Sequence, residues 1–341
     1  MQDPVGDHRT VRVWMTAAIA EQYRLDIASA LPGAKLLLLD ENGAPVDGDQ
    51  QSAGLSADFS SDSLLVSYDL FLSSRDNPAI GDNLVALARQ CAWVQAGSAG
   101  ADDPLLQRIR ASAKRYCNAA GVHAVPIAQY VFAQLLRWHR RLDLHAAQQR
   151  DRQWRPFLVD CELTGKTLGI LGYGGIGREV GRLGKAFGMR VLGWRRQAQP
   201  CEYADEVHQG PEAFADILRK SQCLVMSLPQ DAGTDRIVGE AELRQLPQGA
   251  VLINVGRGST LDEAALVQVL TDEHLAFAAV DTTRVEPLEP DSALWQAPNL
   301  SITPHDSAWS PLAAGRLCHL LCENLGRWSR NQPLLNEEQS H

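Results

Sequence analysis

Three side chains able to handle protons and anions lie in the second half of the sequence, each just past an apolar run. They are Arg257 in NVGRG, Glu286 in DTTRVEPL and His305 in ITPH. Histidine can deliver a proton near neutral pH. A carboxylate bonded to one ring nitrogen fixes the tautomer and favours the charged ring, while a guanidinium can polarise a carbonyl oxygen or clamp a carboxylate. Such a set suits reduction of a 2-oxo acid, in which hydride reaches the keto carbon and an acid protonates the developing alkoxide. Each residue also has a plainer reading. A histidine after Thr-Pro is commonly a turn residue, a glutamate before proline a surface residue, and Arg257 a support for its own glycine turn.

A hydride source is implied further upstream. The short apolar run TLGIL is followed directly by Gly172-Tyr-Gly174-Gly175-Ile176-Gly177, then by a helical pattern from Ile176 to Phe187 and an apolar run from Arg190 to Trp194. In a strand–turn–helix of this kind the glycines serve the tight turn, the approach to a pyrophosphate and the close packing of helix on strand. The free N–H groups at the helix start then hold the anion. A dinucleotide site usually places Asp or Glu after the second strand to accept from the ribose 2'-hydroxyl. Here Arg195 and Arg196 stand there, and guanidinium groups grip a 2'-phosphate that a carboxylate would repel. The expected cofactor is NADP(H), with NAD(H) possible; the plainer alternative is a pair of solvated arginines.

These residues need a scaffold. At 341 residues the chain is long for one core, so two domains are expected. Runs at 11–15, 35–40, within SLLVSYDLFL and within CAWVQAGSAG read as strands, with a helical pattern at 18–31 and a polar loop from Glu41 to Ser63. Apolar spacing predicts a helix over 127–142, starting after Pro126, that crosses into the second domain, where further strands are expected at 223–229, 250–256, 275–282 and 300–305. The tail from Pro311 to Arg330 reads as a helix capped by Ser310. Strands alternating with helices imply an α/β protein with doubly wound parallel sheets.

Bulk properties exclude some functions. A net charge of -9 speaks against nucleic acid or an anionic membrane as partner. No run approaches a membrane span, and the N-terminus has no secretory pattern. The seven scattered cysteines read as reduced thiols rather than disulfides or a metal site, which fits a cytoplasmic protein.

Five segments in order, LTGKTLGILGYGGIGREV, SLPQDAGT, LINVGRGSTLDEAAL, AAVDTTRVEPL and PNLSITPH, make the chain from about Trp93 to Ser310 resemble the D-2-hydroxyacid dehydrogenase family. That group includes glyoxylate/hydroxypyruvate reductases and phosphoglycerate dehydrogenase. The resemblance implies a Rossmann cofactor domain over 126–310 and a discontinuous, flavodoxin-like substrate domain of 1–125 with 311–341. It implies Arg257, Glu286 and His305 as catalytic residues, Asp281 beside the nicotinamide carboxamide and Thr234 on the cofactor side. It implies that backbone N–H groups of Ser98, Ala99 and Gly100 hold the carboxylate of a small 2-oxo or 2-hydroxy acid, and it implies a homodimer. Glu286 departs from the His–Gln pairing of formate-oxidising relatives. Gln129 replaces a usual glutamate, and Asp306-Ser307-Ala308-Trp309 replaces the apolar and small residues that usually follow the histidine. Trp309 can line the substrate pocket or pack against the next helix. A dinucleotide-binding sensor, like the co-repressor relatives of this family, is the alternative function.

Overall fold

The computed structural model describes residues 11–46, 61–100, 103–156 and 162–338. The chain divides into two compact units, Met1–Val122 with Ser310–His341, and His123–Trp309.

In the first unit β1 (Arg12–Thr16), β2 (Lys35–Leu39), β3 (Ser61–Val66), β4 (Cys91–Ala96) and β5 (Tyr116–Cys117) are parallel, in the order β2-β1-β3-β4-β5. The order reverses between β1 and β3, as in flavodoxin-like sheets. Alternate residues enter two cores. Val13, Met15, Leu65 and Trp93 face one side, and Trp14, Leu64, Val66 and Val94 the other, as a sheet covered on both faces requires.

The second unit holds β6 (Thr167–Leu171), β7 (Arg190–Trp194), β8 (Glu206–His208), β9 (Cys223–Met226), β10 (Ala250–Asn254), β11 (Leu275–Val280) and β12 (Leu300–Ile302). All are parallel in the order β8-β7-β6-β9-β10-β11-β12, the Rossmann arrangement with its reversal between β6 and β9. Leu171, Leu224, Leu252 and Ala278 enter one core, and Ile170, Val225, Ile253 and Ala279 the other. Parallel strands put every carboxyl end on one edge, where Gly172, Arg195, Ser227, Arg257, Asp281 and His305 follow their strands.

The C-terminal helix Ala313–Ser329 packs on Ala17–Ala30 through Leu317, Leu321 and Ile27. The chain then ends in β13 (Glu337–Glu338), antiparallel to β5. Buried Asn324 fastens this return, donating to Gln95 Oε1 at 3.0 Å and accepting from Leu335 N–H at 2.7 Å. Arg115 grips Glu337 through two bonds of 2.6 Å.

Several expected boundaries move. The strand expected through SLLVSYDLFL ends at Val66, and Tyr68–Asp76 is a helix burying Leu70 and Phe71 on one face. The loop expected over 41–63 yields Ser61–Ser63 to β3; residues 47–60 lie outside the described part. The crossing helix runs Ala124–His139, with Pro126 in its first turn, where a missing N–H costs little. It stops before Arg141, whose φ of 51° is left-handed, and a second helix, Leu142–Arg150, follows. Ser310 Oγ accepts from Leu312 N–H at 3.2 Å, closing a turn ahead of the C-terminal helix rather than capping it. The six described cysteines are free thiols, Cys201 alone half-buried and the rest buried. Among the described residues no helix is long and apolar enough to cross a membrane.

Candidate active site

The glycine loop is built by contacts that allow no side chain. Gly172 has φ +94°, and a Cβ there would lie 2.6 Å from Ser227 O. A Cβ on Gly177 would lie 2.6 Å from Gly172 O, so this glycine lets the helix Gly175–Ala186 sit against the end of β6. Gly174 is different: a Cβ there would meet nothing within 4 Å. It is the N-cap and brings no side-chain acceptor to the N–H groups of Gly175, Ile176 and Gly177, which leaves the helix dipole and its first donors open to an anion. This arrangement fits a pyrophosphate. Tyr173 turns the other way and is buried, its hydroxyl donating to Tyr203 O at 2.8 Å.

At the end of β7 Arg195 is half-buried, its N–H bonded to His208 O at 3.0 Å. Arg196 is largely exposed, with its guanidinium 3.3 Å from Asp231. No carboxylate follows β7 in sequence until Glu202. Thr234 is buried in the loop after β9 and uses its hydroxyl locally, donating to Pro229 O at 2.7 Å and accepting from Asp231 N–H at 2.8 Å. In this structure Thr234 shapes the loop that carries Asp231.

Beyond β10 the turn around Arg257 is held by its own backbone. Arg257 O accepts from Thr260 Oγ1 at 2.7 Å and from Asn254 Nδ2 at 3.2 Å, while Asn254 Oδ1 accepts from Gly256 N–H at 3.0 Å. A Cβ on Gly258 would overlap the Thr283 backbone, so this turn lies directly against the segment leading to Glu286. One Arg257 guanidinium nitrogen also donates to Gly256 O at 3.0 Å.

Glu286 and His305 meet: Oε2 is 2.8 Å from Nδ1. Glu286 Oε1 accepts from Thr283 N–H at 3.1 Å. Burial alone would raise the Glu286 pKa, but the bond from His305, the charges of His305 and Arg257 and the Thr283 N–H outweigh it, and the carboxyl sits below its ordinary value. An ionised carboxylate only accepts, so Nδ1 carries the proton of this bond and Nε2 faces elsewhere. His305 has φ +55°, a left-handed conformation uncommon outside glycine, and its N–H donates to Asp281 O at 2.8 Å. Asp281 is buried, and its carboxylate accepts from Thr303, Asp306 and Ser307. Trp309 is 65% exposed, and its N–H donates to Asp306 O at 2.9 Å.

Ser98, Ala99 and Gly100 belong to the first unit and follow β4. Ser98 Oγ donates to Gly100 O at 3.0 Å, and Ser98 O accepts from Ala119 N–H at 2.8 Å. Sequence reasoning overlooked Asn254, Thr303, Ser307 and Tyr130. Residue type alone marks none of them; only their hydrogen bonds do.

Residues 132–307 match the family described as D-isomer specific 2-hydroxyacid dehydrogenase, NAD binding domain. The chain belongs to the D-isomer specific 2-hydroxyacid dehydrogenase family. It is 37% identical over 173 residues to a glyoxylate reductase of Aeropyrum pernix, which is 50% of this chain and 51% of that one. It is 33% identical over 180 residues to glyoxylate/hydroxypyruvate reductase A of Citrobacter koseri, covering 53% and 57% respectively. The matched stretches thus span about half the length of these two relatives. A crystal structure of a family protein from Aeromonas salmonicida is 30% identical and superposes with a TM-score of 0.76 over 97% of this chain and 99% of that one. Relatives of this 2-hydroxyacid dehydrogenase family member carry the names of reductases and dehydrogenases, which does not favour the sensor alternative.

Proposed function

We propose that this chain is a reductase of small 2-oxo acids of the glyoxylate and hydroxypyruvate kind, and that it prefers NADPH. The observation that carries the reading is the 2.8 Å bond between His305 Nδ1 and Glu286, on the strand edge that also bears the glycine loop. The dinucleotide, when bound, supplies the hydride. Glu286 holds the His305 ring in one tautomer and one orientation, so that a proton carried on Nε2 can pass to the developing alkoxide. Arg257 polarises the keto oxygen and attracts the substrate carboxylate. Ser98, Ala99 and Gly100 are proposed as backbone donors to that carboxylate. The names of the glyoxylate and hydroxypyruvate reductases among the relatives support the substrate class.

The cofactor preference rests on Arg195 and Arg196 standing where an NAD site carries an acid. The ion pair of Arg196 with Asp231 is largely solvent-exposed and worth little, so a doubly charged 2'-phosphate can displace it. The test is replacement of Arg195 by Asp together with Arg196 by Ser, with NADPH and NADH binding read by nucleotide fluorescence. NADPH affinity is expected to fall far more than NADH affinity. Equal losses for the two cofactors would overturn the preference. Turnover of a panel running from glyoxylate and hydroxypyruvate to phenylpyruvate tests the reaction class, and silence across the panel with NADPH bound would count against it.

A further inference from the structure

Asp281 is 1% exposed and stands at the end of β11 facing the loop that bears His305. Its Oδ1 accepts from Thr303 Oγ1 at 2.6 Å, from Asp306 N–H at 3.2 Å and from Ser307 N–H at 3.3 Å. Its Oδ2 accepts from Ser307 N–H at 3.2 Å and from the Ser307 hydroxyl. The backbone of the same residue continues the pattern. Asp281 O accepts from His305 N–H at 2.8 Å, and Asp281 N–H donates to Asn254 O at 3.0 Å, anchoring the residue to the end of β10. One residue therefore binds the chain before, at and after His305.

The polar chain extends outward. Tyr130 Oη lies 2.9 Å from Thr303 Oγ1. Thr303 gives its only hydroxyl proton to Asp281, so Tyr130 donates to Thr303. Burial, with the nearby charges of Asp281 and Asp306, pushes the Tyr130 pKa up to about 12 despite opposing bonds to Thr303 and Gln134, which keeps that donor in place at working pH.

We infer that Asp281 is a positioning residue: its carboxylate fixes the Thr303–Ser307 loop and thereby aims the His305 ring. This rests on the reading of His305 as the proton donor. The chemistry of the cluster requires an acid there. The donors facing residue 281 come from three loop residues, and an amide would offer one acceptor oxygen and two donors of its own. The His305 ring is 45% exposed, so packing alone does not orient it; the loop backbone and Glu286 do. The left-handed φ of His305 is a conformation that persists only where surroundings over-determine it. A carboxylate has room for about four hydrogen bonds, and the loop uses that capacity. Loss of Asp281 therefore acts on the proton step.

The experiment uses the full chain and compares wild type with Asp281→Asn, Thr303→Val and Thr303→Ser. Hydrogen–deuterium exchange of the peptide spanning Thr303–Trp309 is measured beside steady-state kinetics and NADPH binding. In Asp281→Asn and Thr303→Val that peptide is expected to exchange about tenfold faster or more, with peptides of β9 and β10 unchanged. In the same variants kcat is expected to fall about 10- to 10²-fold, as a misplaced group costs, and in Thr303→Val the NADPH Kd stays within about twofold. Thr303→Ser restores both readouts, which a purely volumetric role for Thr303 would not produce. Unchanged exchange in the loop would overturn the inference. So would a weakened NADPH Kd with kcat at saturation retained, which would put Asp281 on the cofactor. If Asp281→Asn does not fold, the Thr303 pair decides. If wild type reduces none of the acids, the proposed reaction fails separately, and the exchange readout alone decides whether Asp281 holds the loop.

Discussion

Replacing Glu286 by Gln keeps the size of the side chain and removes its charge. Glu286 has two oxygens and two donors to satisfy, His305 Nδ1 at 2.8 Å and Thr283 N–H at 3.1 Å. Glutamine has one oxygen, so its amide N–H must face one of these donors. Charge assistance is worth about 1–2 kcal/mol over a neutral hydrogen bond. With the two side chains 45% and 40% exposed, solvent screening brings that to about 1 kcal/mol. The mismatched donor adds about 1 kcal/mol. Together these come to about 2 kcal/mol, or about 30-fold in kcat. The assay is loss of NADPH absorbance under steady state with the best acid of the panel. The expected result is a kcat lowered by that factor with the NADPH KM unchanged. A kcat within about twofold of wild type, or a loss confined to the NADPH KM, would refute the orienting role. A loss of about 10⁴-fold would show that Glu286 moves the proton itself.

Replacing His305 by Ala is expected to lower kcat by about 10²–10⁴-fold, the range for a positioned acid–base group; an unchanged kcat would remove His305 from the mechanism. Gly172→Ala places a Cβ at φ +94° and 2.6 Å from Ser227 O, so urea denaturation should show a loss of at least about 1–3 kcal/mol together with weakened NADPH binding. Unchanged stability and binding would mean the loop relaxes freely. The Glu337 carboxyl is held below its ordinary value of 4.5, chiefly by the bond from Arg115 and against the effect of burial. A depressed folded value stabilises the fold in full above the unfolded value and loses that stabilisation as pH falls through the folded one. Glu337→Gln should therefore lower Tm at neutral pH, with the difference from wild type closing as pH drops below 4.5. A difference independent of pH would contradict this.

The sequence by itself determined the features that depend on near neighbours. Gly172, Gly174 and Gly177 follow a short apolar strand and open a helix, and such a turn is decided within six residues. Short apolar runs between helical patterns announced parallel α/β sheets, because a strand buried on both faces is apolar along its own length. The places of Arg257, Glu286 and His305 just beyond strands were legible for the same reason. Which side chains meet was not. Glu286 and His305 are 19 residues apart, and only the adjacency of β11 and β12 in a parallel sheet brings their following loops together. The Asp281 carboxylate finds Thr303, Asp306 and Ser307 because those donors arrive beyond the next strand. Arg196 finds Asp231 from a loop beyond β9. Even some local boundaries needed the fold: Pro126 is admitted into a helix because the first turn needs no N–H there, and Ser310 closes a turn because the helix starts three residues later. Backbone turns follow from adjacent residues, whereas side-chain partners follow from strand order and register, which no local stretch encodes.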